Sequence, residues 1–446
     1  MSELSFVATG DSIITQRLLP NRDAAFTDLM ALVRGADAAF TNLEIMVPQE
    51  PWIGSSEHGG GHQGAPAFIL DELKWYGFNL YNVANNHSTD YMYQGLVDTV
   101  AALKARDMVH AGGGRSLGEA RSPAYLETSN GRVALVAAAS SYVTGALAAE
   151  NRMDMLGRPG VNPLRHEKRY VLDPARLAAL REIDEAMGTA AVARRKFSAT
   201  VRPEAQADAA YKFQELGFYA GEQPGMRTVA NARDLEEICR WIRDARRQAD
   251  LVVFSLHGHE GQNGEGNCPT IADFHVEAAH RAIEAGADCF VGHGPHRLRG
   301  IEIYQGKPIF YSLGNFVFQY ETVVKGPAEM YEYQQLGPSA TPADVADAWE
   351  RNPAGEPTGF FITPAFWQTV LPVCRFENGV CRGIELHPVE EGLRLPRARR
   401  GTPRLAAPAE AREILAGLAE LSAPFGTEIA VQERAGRPVG VIQLHS

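Results

Sequence analysis

Five short stretches of the chain carry residues able to bind a metal ion or to move a proton. They are Gly10-Asp11, Asn42-Leu43-Glu44, Asn85-Asn86-His87 with Asp90, His257-Gly258-His259-Glu260, and Gly292-His293-Gly294-Pro295-His296. Asp11 and Glu44 offer hard anionic oxygen, Asn86 a neutral amide oxygen, and His257, His293 and His296 imidazole nitrogen. That donor set suits a divalent cation such as Ca²⁺, Mn²⁺, Zn²⁺ or Fe²⁺, and it is too rich in oxygen and too poor in thiol for a structural zinc site. His87 and Asp90 carry a different signal. A carboxylate three residues after a histidine can hold the ring in one tautomer, as a general acid or base requires. The same Asp90 also reads as the N-cap of the helix that follows. If the stretches meet in space, His296 near Asp11 makes a second histidine–carboxylate pair.

The positioning elements can be read from the patterning around these stretches. Leu4 to Thr9, Ala38 to Leu43, Phe78 to Ala84, Asp250 to Leu256 and Asp288 to Val291 are short apolar runs with strand character, and each one delivers its polar residues at its carboxyl end. Between them lie segments with helical spacing, such as Phe26, Leu29, Met30 and Val33 followed by Gly35, and the segment from about Thr270 to Ala285. Alternation of this kind predicts an α/β fold with a parallel or mixed sheet, in which strand ends converge on one crevice. Gly292 and Pro295 predict a tight, stiff turn that presents His293 and His296. The rhythm breaks from about 143 to 230, a charged segment with a helix from Pro174 to Met187, and an insertion there could roof the crevice. Hairpins are expected at Gln305-Gly306 and Asn378-Gly379, and a helix from about Pro408 to Leu421. The expected organisation is a metal-site domain over 1–320 with that insertion, and an extension over 321–446 packed on the same domain.

Other features read as structural. His58 and His62 sit in a glycine-rich loop expected to be solvated, and His275 and His280 lie on a helix surface. Gly112-Gly113-Gly114 lacks the spacing and distal acid of a dinucleotide site. Trp52, after Glu44, is the one tryptophan placed to stack on a substrate. Arg394, Arg397, Arg399 and Arg400 read as a solvated basic face. Over 446 residues, 45% are hydrophobic and 22% charged, the balance of a globular protein, and the net charge of −11 argues against nucleic acid or an anionic membrane as partner. Five cysteines without metal-ligand spacing are expected to be reduced thiols. With no apolar segment of membrane-spanning length and no signal-like start, the expected address is the cytoplasm.

Together, the five stretches and the run Tyr311-Ser312-Leu313-Gly314-Asn315-Phe316 resemble, in order, the CapA (poly-γ-glutamate capsule) family of the calcineurin-like metallophosphoesterase superfamily. The resemblance implies a four-layer α/β/β/α sandwich, with Asp11, Glu44, Asn86, His257, His293 and His296 around a divalent metal and His87 as proton donor. Two positions depart from the superfamily pattern. Ile13 stands where a histidine is usual, and Gly294-Pro295 widen the spacing of the last two histidines, so the resemblance does not carry a full two-metal clamp. A cytoplasmic CapA-like protein is similar to epimerases of lasso-peptide pathways. That likeness implies a precursor peptide as substrate and inversion of its C-terminal Cα by His87 with Asp90 and by His296 with Asp11. The alternatives are a metallophosphoesterase and a non-catalytic capsule-assembly scaffold.

Overall fold

The strand Glu3–Ile13 alternates its side chains between two cores. Leu4, Phe6 and Ala8 point into the layer between two sheets, while Val7 points toward a layer of helices. The computed structural model describes residues 3–18, 21–189, 208–214 and 216–444. Its first sheet runs through Ala430–Arg434, Arg437–Ile442, Val380–Glu390, Gln368–Glu377, Glu3–Ile13, Ala38–Leu43, Leu80–Asn82 and Val109–Ala111. Its second runs through Ile301–Tyr304, Lys307–Phe310, Cys289–His293, Leu251–His257, Gly131–Ala139 and Ala124–Thr128. Helices close both outer faces. Ala24–Arg34 buries Phe26, Leu29, Met30 and Val33, and Asp23 caps its first turn through Ala25 N–H. Ala232–Arg246 and Asp273–Ala285 cover the second sheet, the former burying Leu235, Ile238, Cys239 and Ile242 on one stripe. The result is the calcineurin-like α/β/β/α arrangement.

The site-bearing strands are parallel within each sheet, so their carboxyl ends lie on one side. Asp11 is level with Asn42 in the first sheet, and His257 with His293 in the second. The third strand is shorter than its apolar run suggests, covering Leu80–Asn82 only, because the chain turns to spend Ala84, Asn85 and Asn86 on side-chain hydrogen bonds. Both expected hairpins form, and Asn378 and Gly379 each adopt φ > 0, as a two-residue turn of this hand requires.

The middle segment builds its own four-stranded sheet, with His166–Leu172 between Leu216–Ala220 and Gly225–Ala230, beside the expected helix Pro174–Met187. Residues 190–207 of that segment lie outside the described residues. Strand Gln368–Glu377 pairs antiparallel with Glu3–Ile13, so residues 368–377 continue the first sheet. The basic loop is not a free solvated face. Arg397 and Arg400 hold the buried Glu321 carboxylate at 3.1 and 2.8 Å, and Arg397 also binds Asp347 at 2.6 Å. Among the described residues no helix is long and apolar enough to cross a membrane.

Gly10 allows the closest approach near the site, since a Cβ there would overlap the Gly314 carbonyl, whose oxygen accepts from Asp11 N–H at 2.8 Å. Gly10→Ala is therefore expected to destabilise the fold by about 3 kcal/mol and to displace Asp11, measured as a lower denaturation midpoint together with weaker divalent-cation binding.

Candidate metal centre and acid–base site

Asp11, Glu44, His257 and His293 are all buried at the meeting of the strand ends. Asp11 is fixed through both oxygens: Asn42 Nδ2 donates to Oδ1 at 2.8 Å, and Gly294 N–H donates to Oδ2 at 3.0 Å. Asn42 is fixed in turn, its Oδ1 accepting from Asn82 at 2.7 Å and from Asn85 at 3.2 Å. His293 Nε2 bonds Ser255 Oγ at 2.7 Å, which leaves Nδ1 facing His257 Nδ1 at 3.0 Å and Asp11 Oδ1 at 3.6 Å. Asn86 donates to the Gly59 carbonyl and turns its Oδ1 to His257 Nε2 at 2.9 Å.

Glu44 breaks this pattern of satisfied groups. It is fully buried, and among the described residues its carboxylate oxygens have no amide, hydroxyl or cationic donor, only the Asp11 carboxyl within hydrogen-bond reach. Its neighbours include the Asp11 carboxyl, His257 Nε2 at 3.8 Å and His87 Nε2 at 3.9 Å. A buried carboxylate beside ring nitrogens that face one another is poorly stabilised by protein alone and well stabilised by a cation. Asp11, His257 and His293 offer three donor atoms close enough to share an ion, as do Glu44, His257 and His259, and Asp11, Glu44 and His296. The residues therefore fit a divalent cation.

Ionisation follows from burial. It pushes the Asp11 carboxyl up to about 6, and it raises Glu44 well above the carboxylate range, with the Asp11 charge adding to the effect. Burial, and then the neighbouring imidazoles, lower His257 far below its ordinary value. Burial with His259 nearby brings His293 and His296 to about 3. Near pH 7 these rings are neutral ligands. The proton competing with a cation sits on the carboxyls.

Three imidazoles, His87, His259 and His296, line a cavity of about 540 Å³ beside this cluster. His87 Nδ1–H donates to Asp90 Oδ2 at 2.6 Å, and Asp90 is itself held by the backbone N–H groups of Gln63 at 2.8 Å and Gly59 at 3.2 Å. Asp90 thus orients His87 and pins the glycine-rich loop, and the helix Met92–Lys104 starts without a side-chain cap. His296 differs from the expected arrangement. Its Nδ1 bonds Asn315 Oδ1 at 2.9 Å, while Asp11 Oδ2 lies farther off at 3.6 Å and spends its lone pair on Gly294. Asn315 Nδ2 donates to the His296 and Phe366 carbonyls, which fixes the amide with its oxygen toward the ring. His296 has φ 58°, a left-handed backbone rarely adopted by a side-chain-bearing residue, and its ring stacks on Phe318 at 5.7 Å.

The structure thus gathers Asp11, Glu44, Asn86, His87, Asp90, His257, His293 and His296 into one neighbourhood. It adds His259, whose Nε2 is 3.2 Å from His257 Nε2 and whose Nδ1 bonds Asn267 at 2.6 Å. The signal was the His-Gly-His spacing past a strand end. Glu260 turns away to Ser140, Ser141 and His275. His275, expected at the surface, is buried in that network, and His62 is buried with Nε2 on the Ser55 carbonyl at 2.8 Å. Trp52 packs on Tyr91 and under Lys325, whereas Trp349 lines the cavity.

Residues 5–320 match the family described as bacterial capsule synthesis protein PGA_cap. The chain belongs to that family. Over 449 residues it is 36% identical to the uncharacterised protein y4sH of Sinorhizobium fredii (strain NBRC 101917 / NGR234), which covers 97% of this chain and 92% of the relative. It is 26% identical to the capsule biosynthesis protein CapA of Bacillus anthracis over 258 residues, 58% of this chain and 44% of that protein. A probable polyglutamine synthesis accessory protein of Mycobacterium tuberculosis (strain ATCC 25618 / H37Rv) is 30% identical over 242 residues, 54% of this chain and 45% of the relative. The capsule-related matches thus cover under half of those longer proteins.

Glu44→Gln replaces a carboxyl that burial keeps protonated in the absence of a cation with a neutral amide of the same shape. It is expected to leave the melting temperature of the metal-free protein nearly unchanged and to abolish the rise that Mn²⁺ gives the unchanged protein, both read by thermal unfolding. Because Asp11 and Glu44 keep protons that a cation must displace, Mn²⁺ affinity measured by calorimetry is expected to rise from pH 5 to pH 7, by up to about tenfold per unit for each proton released.

Proposed function

We propose that this protein is a metal-dependent peptide epimerase that inverts the Cα of the C-terminal residue of a ribosomal precursor peptide of the lasso type. The observation that carries this reading is the pair of imidazoles on one cavity, His87 and His296, each anchored at Nδ1 and so presenting Nε2. Epimerisation needs a base on one face of Cα and an acid on the other. His296 has a neutral amide partner and rests neutral, the state of a base. His87 is oriented by Asp90 through Nδ1, which leaves Nε2 to face the cavity where an acid is needed. One nitrogen takes the Cα proton and the other returns a proton to the opposite face, so the peptide leaves with no bond changed except the configuration of that carbon. The reverse direction uses the same two groups with roles exchanged.

Asp11, Glu44, Asn86, His257 and His293, with His259, would hold the cation, and the mixed oxygen and nitrogen donors favour Mn²⁺, Ca²⁺ or Zn²⁺. Bound there, a divalent cation supplies positive charge beside the carbonyl or carboxylate whose neighbouring carbon loses its proton. Asp11 serves as a cluster residue and His296 as the acid–base group, with Asn315 rather than Asp11 setting the ring. We place the reaction in the cytoplasm, a reading supported by the acidic composition and by five free, buried thiols.

A second reading rests on the overlap of two donor groups, Asp11 with His257 and His293, and Glu44 with His257 and His259. Two ions there would suit a metallophosphoesterase, with His87 protonating the leaving group.

The test is mass spectrometry of a cognate precursor peptide after incubation with the Mn²⁺-loaded protein in D₂O. One non-exchangeable deuterium at the C-terminal residue without cleavage is expected, and His87→Ala and His296→Ala should each slow its uptake by about 10²–10⁴-fold. Unimpaired inversion in either variant, or phosphodiester turnover without deuterium uptake, would contradict the epimerase.

A further inference from the structure

One wall of the cavity comes from residues 349–366, beyond the stretch that matches the family. Trp349 and Phe360 stand there beside Phe318 and Tyr320, with Phe360 edge-on to Phe318 at 5.1 Å and to Tyr320 at 5.5 Å. Among these rings lie Gln63 Oε1, which lacks a hydrogen-bond partner among the described residues, and the Tyr320 hydroxyl beside the Glu350 carboxylate, which has neutral donors but no ion pair among the described residues. All three residues line the cavity and are at least nine-tenths buried, with exposures of 5%, 5% and 3%. The Tyr320 hydroxyl faces the Glu350 carboxylate as a donor, as do the backbone N–H groups of Phe360 and Phe361, and together they oppose the rise that burial gives this carboxyl.

These groups are held in advance of any ligand. Gly359 has φ 57°, and its backbone passes so close to Glu350 that a Cβ would sit 2.8 Å from Oε2. Thr358 N–H donates to the Glu350 carbonyl at 2.8 Å. Gly61, in the loop pinned by Asp90, packs directly on the Trp349 ring. A rigid recess of aromatic faces around a carboxylate and two further oxygens has one complementary chemistry, a hydrogen-bond donor that carries positive charge. Burial raises the Glu350 carboxyl in the free protein, as expected for an anion waiting for its counter-ion.

We infer that this wall is a subsite for a cationic side chain, guanidinium or alkylammonium, on the substrate, with Glu350 as counter-ion and Trp349 and Phe360 packed around its stem. The word peptide in that substrate class rests on the proposed epimerase reading. The recess itself does not.

The test is calorimetric titration of the full chain with two blocked tripeptides, acetyl-Ala-Arg-Ala and acetyl-Ala-citrulline-Ala, which differ by one charge at nearly constant shape. The arginine peptide is expected to bind about tenfold more tightly or better. Glu350→Gln should bring the ratio close to one while leaving the circular dichroism spectrum unchanged, and Tyr320→Phe should reduce the ratio several-fold. Equal affinities in the unchanged protein, no binding of either peptide, or a preference that survives Glu350→Gln would each overturn the subsite. The two proposals fail separately. An arginine preference without deuterium uptake removes the epimerase and keeps the subsite, and uptake without the preference does the reverse.

Discussion

Glu44 is a buried carboxyl with no cationic side chain to pair with among the described residues and another acid, Asp11, as its hydrogen-bond neighbour, at a place where five strand ends meet. Such a group keeps its proton unless something carries charge to it. Around it, the neighbouring polar groups are satisfied with care. Asn42, Asn82 and Asn85 form a buried amide chain that fixes Asp11 and the turn to His87, and Ser255 fixes His293. A scaffold that fixes the surrounding amides and hydroxyls and leaves two buried carboxyls against facing imidazole nitrogens is organised for a cation, and the parallel strands are what place the donors within reach.

The acid–base groups depend on the same scaffold. Asp90 closes a triangle between His87, the glycine-rich loop and Gln63, and Asn315 ties His296 to the chain that carries Phe366. The two rings differ in their partners, a carboxylate for one and an amide for the other, and in the proposed reaction that asymmetry would suit one ring as proton donor and the other as acceptor. Each ring also belongs to a different wall of the cavity: His87 to the turn after Leu80–Asn82, His296 to the aromatic wall of Phe318 and Phe360.

Much of this was legible before any coordinates, because apolar runs ending in ligand-type residues encode both the sheet and the crevice. Asp11, Glu44, Asn86, His87, His257, His293 and His296 announced themselves in that way. What stayed hidden depended on contacts that spacing cannot show. Asn315 belongs to a strand level with Asp11, far away in sequence. His259 stood two residues from His257, but whether a ring past a strand end turns inward depends on Asn267 and on the Arg299 guanidinium that holds its carbonyl at 2.9 Å. Trp349 and Glu350 reach the cavity because the hairpin after residue 367 pairs with the first strand, a long-range match that local pattern does not encode. The expected roof over 143–230 contributes to a neighbouring recess through Val143 and His166, while the cavity over His87 and His296 takes its wall from residues 349–366. Arg397 and Arg400 looked solvated because their acidic partners, Glu321 and Asp347, lie at least fifty residues upstream, while Arg394 and Arg399 are exposed as expected.

The most direct measurement of the central claim is anomalous diffraction at the manganese edge from crystals grown with Mn²⁺. A peak within about 2.0–2.4 Å of a Glu44 carboxylate oxygen and of an imidazole nitrogen of His257 is expected. A clean map with no peak at the strand ends, or a peak held only by exposed acidic residues elsewhere, would contradict it.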